Sequence, residues 1–250
     1  MTQEQMYDGQ LGKAGEFFFH YTKAEPAFAK ILPSRQLRLS PASQMRDPLE
    51  SRPADVLPRD AGDADSLQAM CTIRDWRLRS KILSLTVDAV GCEYQGQAQV
   101  FGRGWSRARL WESYAETHAG VCLMFRRREF EATVLKQLRA RSQTASAASV
   151  SYTPTGIFKK DDPMLVDASG GSAEDSASRY VASNLDLLFF TKLNDWESEH
   201  EYRFVEPSLV NGYTCVDIED TLHGVIFGHR FPSWVFESAY RRCKEYAAGR

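Results

Sequence analysis

The sequence predicts an α+β fold, a single domain on a central, mostly antiparallel sheet with helical insertions. Three observations lead there. Short aromatic or alternating runs of strand type recur along the 250 residues, Phe17–Tyr21 and Lys81–Val87 among them. Irregular helical stretches separate them, without the strand–helix rhythm of a doubly wound sheet. No G-x-G-x-x-G or Walker sequence occurs, so nothing in the chain calls for a Rossmann or P-loop architecture.

The elements follow in order. Phe17–Tyr21 is aromatic and reads as a buried strand. Pro26–Leu32 places Phe28, Ile31 and Leu32 at i, i+3 and i+4, a short helix. Leu37–Leu39 alternates and reads as a strand. Pro41, Pro48, Pro53 and Pro58 make 41–60 a loop. Helical spacing returns over Ser66–Arg79, and Lys81–Val87 has the period of two of a strand. A helix is predicted over Trp105–Thr117, then a strand over Gly120–Phe125 and a helix over Glu129–Ala140. Val150–Tyr152 is a short strand and Ser178–Lys192 a helix. Glu201–Val205 and Gly224–Phe227 are strands. A last helix starts near Pro232, a residue suited to the first helical turn. Arg141–Ser149 and Ala168–Ser178 are rich in Ser, Ala and Gly. They are expected to be mobile insertions outside the core and the first sites of proteolysis.

Bulk properties narrow the function. Hydrophobic residues make up 43% and charged residues 26%, an ordinary globular composition. The net charge of -2 does not by itself call for a nucleic-acid partner. No apolar run approaches the roughly 20 residues that span a bilayer, so no membrane partner is expected. Met1–Lys13 is polar and lacks a signal-peptide core. The five cysteines, without a C-x-x-C, read as free thiols, which points to the cytoplasm.

Five stretches carry groups suited to chemistry. His20, with Tyr21 and Thr22, leaves an aromatic strand and can offer a ring nitrogen in a dry setting. The bland alternative is a histidine capping the edge of the core. Ser84 and Thr86, at i and i+2, put two hydroxyls on one strand face, able to hold a ribose. Glu199 and Glu201 have the same spacing. On one face they would repel, raising the pKa of one, an arrangement suited to acid–base work; paired with Arg203 they are an edge-strand charge cluster. Asp47 and Glu50 lie in the proline-rich loop, Asp47 as a turn former or both as acids. Trp111, Tyr114 and His118 would share one helical face, as core or as a ligand wall.

Together these stretches resemble the DUF 2971 family, a bacterial family of unknown function. Its pattern runs HYT, NDPxE, SLS or SLT, W-x-x-Y-A-x-x-H-x-G-x-C-x-x-F, and T-K-x-x-x-W-x-x-E-x-E-Y-R. The chain supplies His20–Thr22, Asp47–Glu50, Ser84–Thr86, Trp111–Phe125 and Thr191–Arg203, and Leu222–Gly228 also matches. Arg46 departs from it, standing where the family usually has Asn, which puts that residue's role in doubt. A looser resemblance, His-Tyr-Thr then Ser-x-Thr then Glu-x-Glu, is to ADP-ribosyltransferases. That resemblance implies their type of sheet and NAD as substrate. It implies a first-strand residue, here His20, on the NAD ribose, a supporting Ser/Thr strand, and a late Glu stabilising the oxocarbenium-like state.

Three functions follow. The first is an NAD-consuming ADP-ribosyltransferase or NAD glycohydrolase, its acceptor a protein, a nucleic acid or water. It requires His20, Ser84 and Glu201 to converge, with Glu201 as the catalytic carboxylate ahead of Glu199. On this expectation Glu201→Gln loses activity but keeps the melting temperature. The second is a hydrolase or nuclease using Asp47, Glu50, Glu199 and Glu201. The third is a non-catalytic nucleotide-binding or regulatory module.

Overall fold

The strands interleave with helices of varied length, and the sequence explains most of the boundaries. The computed structural model describes residues 13–89, 99–156, 164–168 and 171–248. In chain order the described strands are β1 (Phe17–Thr22), β2 (Gln36–Pro41), β3 (Val56–Pro58), β4 (Lys81–Thr86), β5 (Val121–Arg126) and β6 (Ser146–Ser149). They continue as β7 (Ser151–Thr153), β8 (Met164–Val166), β9 (Thr191–Leu193), β10 (Glu201–Glu206), β11 (Thr214–Asp217) and β12 (Leu222–Phe227). The helices used below are α1 (Ala64–Arg79), α2 (Ala108–Ser113), α3 (Arg127–Arg139), α4 (Ala173–Ser183), α5 (Leu185–Phe189) and α6 (Ser233–Ala248). No helix among the described residues is long and apolar enough to cross a membrane. Cys71, Cys122, Cys215 and Cys243 are free thiols; Cys92 lies outside the described residues.

The main sheet runs β11-β2-β4-β1-β5-β12, with β10 on β4 and β6 on β10, and every pairing in it is antiparallel. The expected α+β fold with a mainly antiparallel sheet is therefore present. One edge of β4 pairs along its whole length with β10, from Lys81↔Glu206 to Thr86↔Glu201. The other edge is shared. β2 takes its start through Ser40↔Ile82 and Pro41↔Lys81, and β1 takes its end through Phe19↔Thr86. Between them the β4 edge at Leu83–Leu85 carries no strand, so β1 and β2 part there.

Strand alternation divides the side chains between two faces. One face carries Phe18, Leu83, Leu85, Leu123, Phe125, Tyr202 and Phe204, and α3 covers it with Phe130, Val134 and Leu138. The other face carries two apolar clusters. Ile82 and Val205 pack under α1, α4 and α5, and Phe17, Phe19, Tyr21, Cys122 and Met124 pack under Leu110 and Trp111. Between these clusters lie Ser84, Thr86, Glu201 and Arg203, paired across β4 and β10. A polar strip is thus enclosed by apolar packing on both sides.

Several expectations are corrected. Arg141–Ser149 and Ala168–Ser178 are not outside the core: β6 pairs with β10, Ala145 is buried, and Ala168, Ala173 and Ala177 are buried against α1. Small side chains are what lets α4 approach closely, and Ser172 caps it by accepting from the Asp175 N–H. Residues 169–170 lie outside the described set. The helix expected over Trp105–Thr117 is confined to α2, because Glu116, Thr117 and His118 take left-handed φ of 52°, 54° and 68°. The turn is closed by Gly120 N–H to the Ala115 carbonyl, and a Cβ on Gly120 would strike the Thr22 carbonyl. The helix expected over Ser178–Lys192 is split into α4 and α5, and Lys192 belongs to β9. The 41–60 loop contains β3, which pairs parallel with β8.

Candidate functional site

A cavity of about 310 Å³ opens where β1 and β2 part. Its lining includes His20, Tyr21, Ser84, Thr86, Asp47, Glu50, Tyr114, Lys192, Glu199 and Glu201. Most of the candidate residues therefore meet, drawn from β1, β4, β10 and the loop after β2.

Glu201 sits at the centre of the charge pattern. Arg203, two residues on along β10, grips it with two bonds, Nε to Oε1 at 2.6 Å and Nη2 to Oε2 at 2.9 Å. Lys192 Nζ donates to Glu201 Oε2 at 3.1 Å and to Glu199 Oε2 at 2.9 Å, and lies 3.7 Å from Glu50 Oε2. Arg203 also ion-pairs with Glu50 and donates to the Phe189 carbonyl at 2.7 Å. Burial alone would raise the pKa of Glu201, but Arg203 and Lys192 outweigh it and hold the carboxyl at about 2. Glu201 is therefore not a carboxyl lifted by repulsion: it and Glu199 share the Lys192 cation. Burial would lower the Lys192 ammonium, and Glu201, Glu50 and Glu199 keep it above the ordinary lysine range.

The local backbone explains how Glu199 and Glu201 come together. Glu199 ends a 3₁₀ turn over Asn194–Glu199, not a strand, and His200 takes φ 44° before β10 begins. This left-handed residue turns both carboxylates toward Lys192. Such strain persists only where surrounding bonds over-determine it. Here Val87 N–H holds the His200 carbonyl, and Tyr114 Oη donates to Glu199 Oε1 at 3.0 Å.

His20 lines the cavity with its ring buried beside the Ser84 backbone. Burial lowers its pKa to about 4 against the opposing hydrogen bond of that backbone, so the imidazole is neutral near pH 7. Tyr21 also lines the cavity, but its hydroxyl is committed, donating to the Gly104 carbonyl at 2.7 Å and accepting from Arg107 N–H. Thr22 is buried, pairs with Val121 and does not line the cavity. Trp111 does not line it either; it packs edge-on against Tyr21 and donates to the Trp105 carbonyl. Both were site candidates and are core. Asp47 forms the expected turn, accepting from Leu49 N–H at 2.8 Å, and still faces the cavity. The Ser84 hydroxyl approaches the Glu201 carboxylate, yet its buried oxygen makes no hydrogen bond of normal geometry.

Two cations of this network were not sequence candidates. Lys192 is one, present in the sequence only as the lysine of the Thr-Lys pair that opens the Thr191–Arg203 motif. Arg77 on α1 is the other: it is 1% exposed, lies over the Phe189 ring, and its Nε and Nη1 have no hydrogen-bond partner. Burial lowers its pKa to about 10, against the pull of Glu50 and Asp47. Four buried carboxylates (Asp47, Glu50, Glu199, Glu201) thus face three buried cations (Arg77, Lys192, Arg203), leaving one formal negative charge in excess. At the rim, Arg38 and Arg46 are exposed. Arg46 lies over the Tyr114 ring and donates to the Ser113 carbonyl.

Residues 110–204 match the family model described as a protein of unknown function, DUF2971. The match covers 95 of the 250 residues. The matched span contains Tyr114, Lys192, Glu199, Glu201 and Arg203, whereas His20, Asp47, Glu50 and Ser84 lie before it. No curated protein and no solved structure matches the chain. The ionised Glu201 has a consequence for stability. Its carboxyl is depressed from the ordinary 4.5 to about 2. A depressed acid contributes stability that is full above its unfolded pKa and is lost as pH falls through the folded one. Denaturation followed from pH 6 to pH 2 should show stability falling mainly between about 4.5 and about 2, with a shallower fall in Glu201→Gln. Equal slopes in the two proteins would remove Glu201 as the cause.

Proposed function

We propose that this protein is an ADP-ribosyltransferase-like enzyme that cleaves NAD, passing ADP-ribose to a macromolecule or to water. The observation that carries this reading is that His20, Ser84 and Glu201 line one cavity at the parting of the sheet. In the reaction the bond between the ribose C1′ and the nicotinamide nitrogen breaks. The electron pair leaves with nicotinamide, and an acceptor oxygen or nitrogen then attacks the oxocarbenium-like sugar. A fixed, ionised carboxylate stabilises that developing cation most when it needs no reorganisation, and Glu201 is held by Arg203 and Lys192 in this way. The neutral His20 imidazole and the Ser84 hydroxyl suit ribose hydroxyls.

Charge polarity supports the same ligand. The interior carries an excess negative charge and the rim carries Arg38 and Arg46. That suits a ligand with a cationic head and an anionic tail, the nicotinamide ring and the pyrophosphate of NAD. A cavity of about 310 Å³ is at the small end of ligand pockets and suits the nicotinamide–ribose end alone.

A second reading, a carboxylate-based hydrolase or nuclease, is favoured by the meeting of Asp47, Glu50, Glu199 and Glu201. Against it, ammonium and guanidinium groups already occupy oxygens of the three glutamates. Among the described residues no cluster could hold a metal ion. The deciding assay is release of labelled nicotinamide from NAD, with and without chelator. Chelator-resistant release supports the proposal. No release, with metal-dependent cleavage of phosphodiesters or esters instead, supports the second reading.

Ser84→Ala offers a separate check. Removing a buried hydroxyl that lacks a good hydrogen bond should leave stability within about 0.5 kcal/mol of wild type, while weakening NAD binding by roughly tenfold, the loss of about 1.4 kcal/mol. Unchanged affinity by calorimetry would take Ser84 out of the site.

A further inference from the structure

The last helix, α6, buries Ala239 and Tyr246 against the domain and presents its opposite face to solvent. Beside the buried stripe, Phe236 at 45% and Tyr240 at 48% exposure form one flank, with Phe236 also against the Phe227 ring, whereas Trp234 at 85% exposure points to another side of the helix. Two adjacent large aromatic residues, each about half exposed, mark an interaction surface. Phe236 and Tyr240 stack at an interplanar angle of 10°, and Lys244 lies over the Tyr240 ring. A groove of about 430 Å³ runs along Phe236, Glu237, Tyr240, Arg241 and Lys244.

The order of these residues identifies the occupant. Residues 236, 240 and 244 follow one another at i+4 on one flank, and 237 and 241 do so on the other. Glu237 and Arg241 lie on either side of residue 239, and Phe236 and Lys244 on either side of Tyr240. An antiparallel copy of the same helix, turned about a two-fold axis near 239–240, sets Glu237 against Arg241 of the other helix. By the same symmetry it sets Arg241 against the other Glu237. Tyr240 meets Tyr240, and Phe236 meets the aliphatic stem of Lys244. Such isologous pairing is what a two-fold interface demands. Among the described residues neither Glu237 nor Arg241 forms an ion pair within the chain.

We propose that the protein self-associates as a two-fold dimer through the exposed face of α6, with Glu237 and Arg241 as reciprocal partners. Sixteen residues of helix span about 24 Å, a contact at the small end of specific interfaces. The dimer is accordingly weak and concentration-dependent.

Sedimentation equilibrium of the full chain tests this with exposed-site variants that leave the core alone. Wild type should show reversible monomer–dimer exchange in the micromolar range. Glu237→Arg and Arg241→Glu should each weaken it by about tenfold or more. Mixing the two variants should restore association, because every cross-pair is then of opposite charge, and Glu237→Arg with Arg241→Glu in one chain should restore it too. A wild type that stays monomeric at high protein concentration overturns the proposal. So does dimerisation that neither charge reversal weakens, since the contact then lies elsewhere. Single-stranded nucleic acid bound by a monomeric wild type, with loss on Tyr240→Ser, would assign the same face to a different partner and also overturn it.

Discussion

Arg203→Met should destabilise the protein by about 3–5 kcal/mol, the cost of removing one partner from a buried ion pair. Arg203 is fully buried, and its guanidinium bonds Glu201 twice, pairs with Glu50 and donates to the Phe189 carbonyl. Methionine fills much of the same volume, so the loss is one of charge compensation rather than packing. Lys192 then remains as the close cation for three glutamates. Urea denaturation measures the effect. The discriminating arm is Arg203→Met with Glu201→Leu, which removes the charge left behind and should recover part of the loss. If the double variant is less stable than the single by the full cost of Glu201→Leu alone, the two residues are not coupled, and the network described above is misassigned. Arg203→Lys should also lose stability, because an ammonium cannot reproduce the two-pronged bond.

On the proposed function, Glu201→Gln should lower NAD cleavage by roughly 10²–10³-fold, the usual loss when one preorganised electrostatic group is removed from a transition state. The structure alters what else this variant does. From sequence the melting temperature is expected to stay near wild type, because glutamine keeps the shape of the side chain and removes only its charge. Because Glu201 is buried between Arg203 and Lys192, the substitution should instead cost about 1.5–3 kcal/mol, the range of hydrogen bonds to charged groups. Activity therefore has to be compared at a temperature where circular dichroism shows both proteins folded. Glu199→Gln is the matched control. Glu199 shares Lys192 with Glu201 and accepts from Tyr114, but does not bond Arg203, so its loss in kcat should be smaller. A folded Glu201→Gln protein with full turnover would sink the assignment, whereas a smaller kcat with unchanged KM is the expected pattern.

Local pattern made much of this molecule legible before folding. Phe17–Tyr21, Lys81–Val87, Gly120–Phe125 and Glu201–Val205 read as strands because their apolar residues alternate or are aromatic, and all four lie in the main sheet. His20, Ser84, Glu199 and Glu201 were named from type and spacing alone, and they share the cavity. The ordered motifs resemble DUF2971, and that family's model matches residues 110–204. Elsewhere local pattern failed because long-range packing decides. Ser/Ala-rich segments read as mobile, yet α4 is ordered because small residues let it pack against α1. Thr22 and Trp111 sit within motifs, but the pleat and the turn at 114–120 direct them into the core. The rise expected for one carboxyl of the pair does not fall on Glu201, since its neighbour at i−2 shares Lys192 and Arg203 grips it directly. Lys192 and Arg77, 115 residues apart in the chain, join one charge network only through α1 and β9. The parting of β1 from β2 along β4 likewise exists only in the register of three strands. Periodicity and residue type set the elements and their chemistry, because these act over a few residues. Which carboxylate meets which cation, and where the sheet opens, depends on contacts between distant segments.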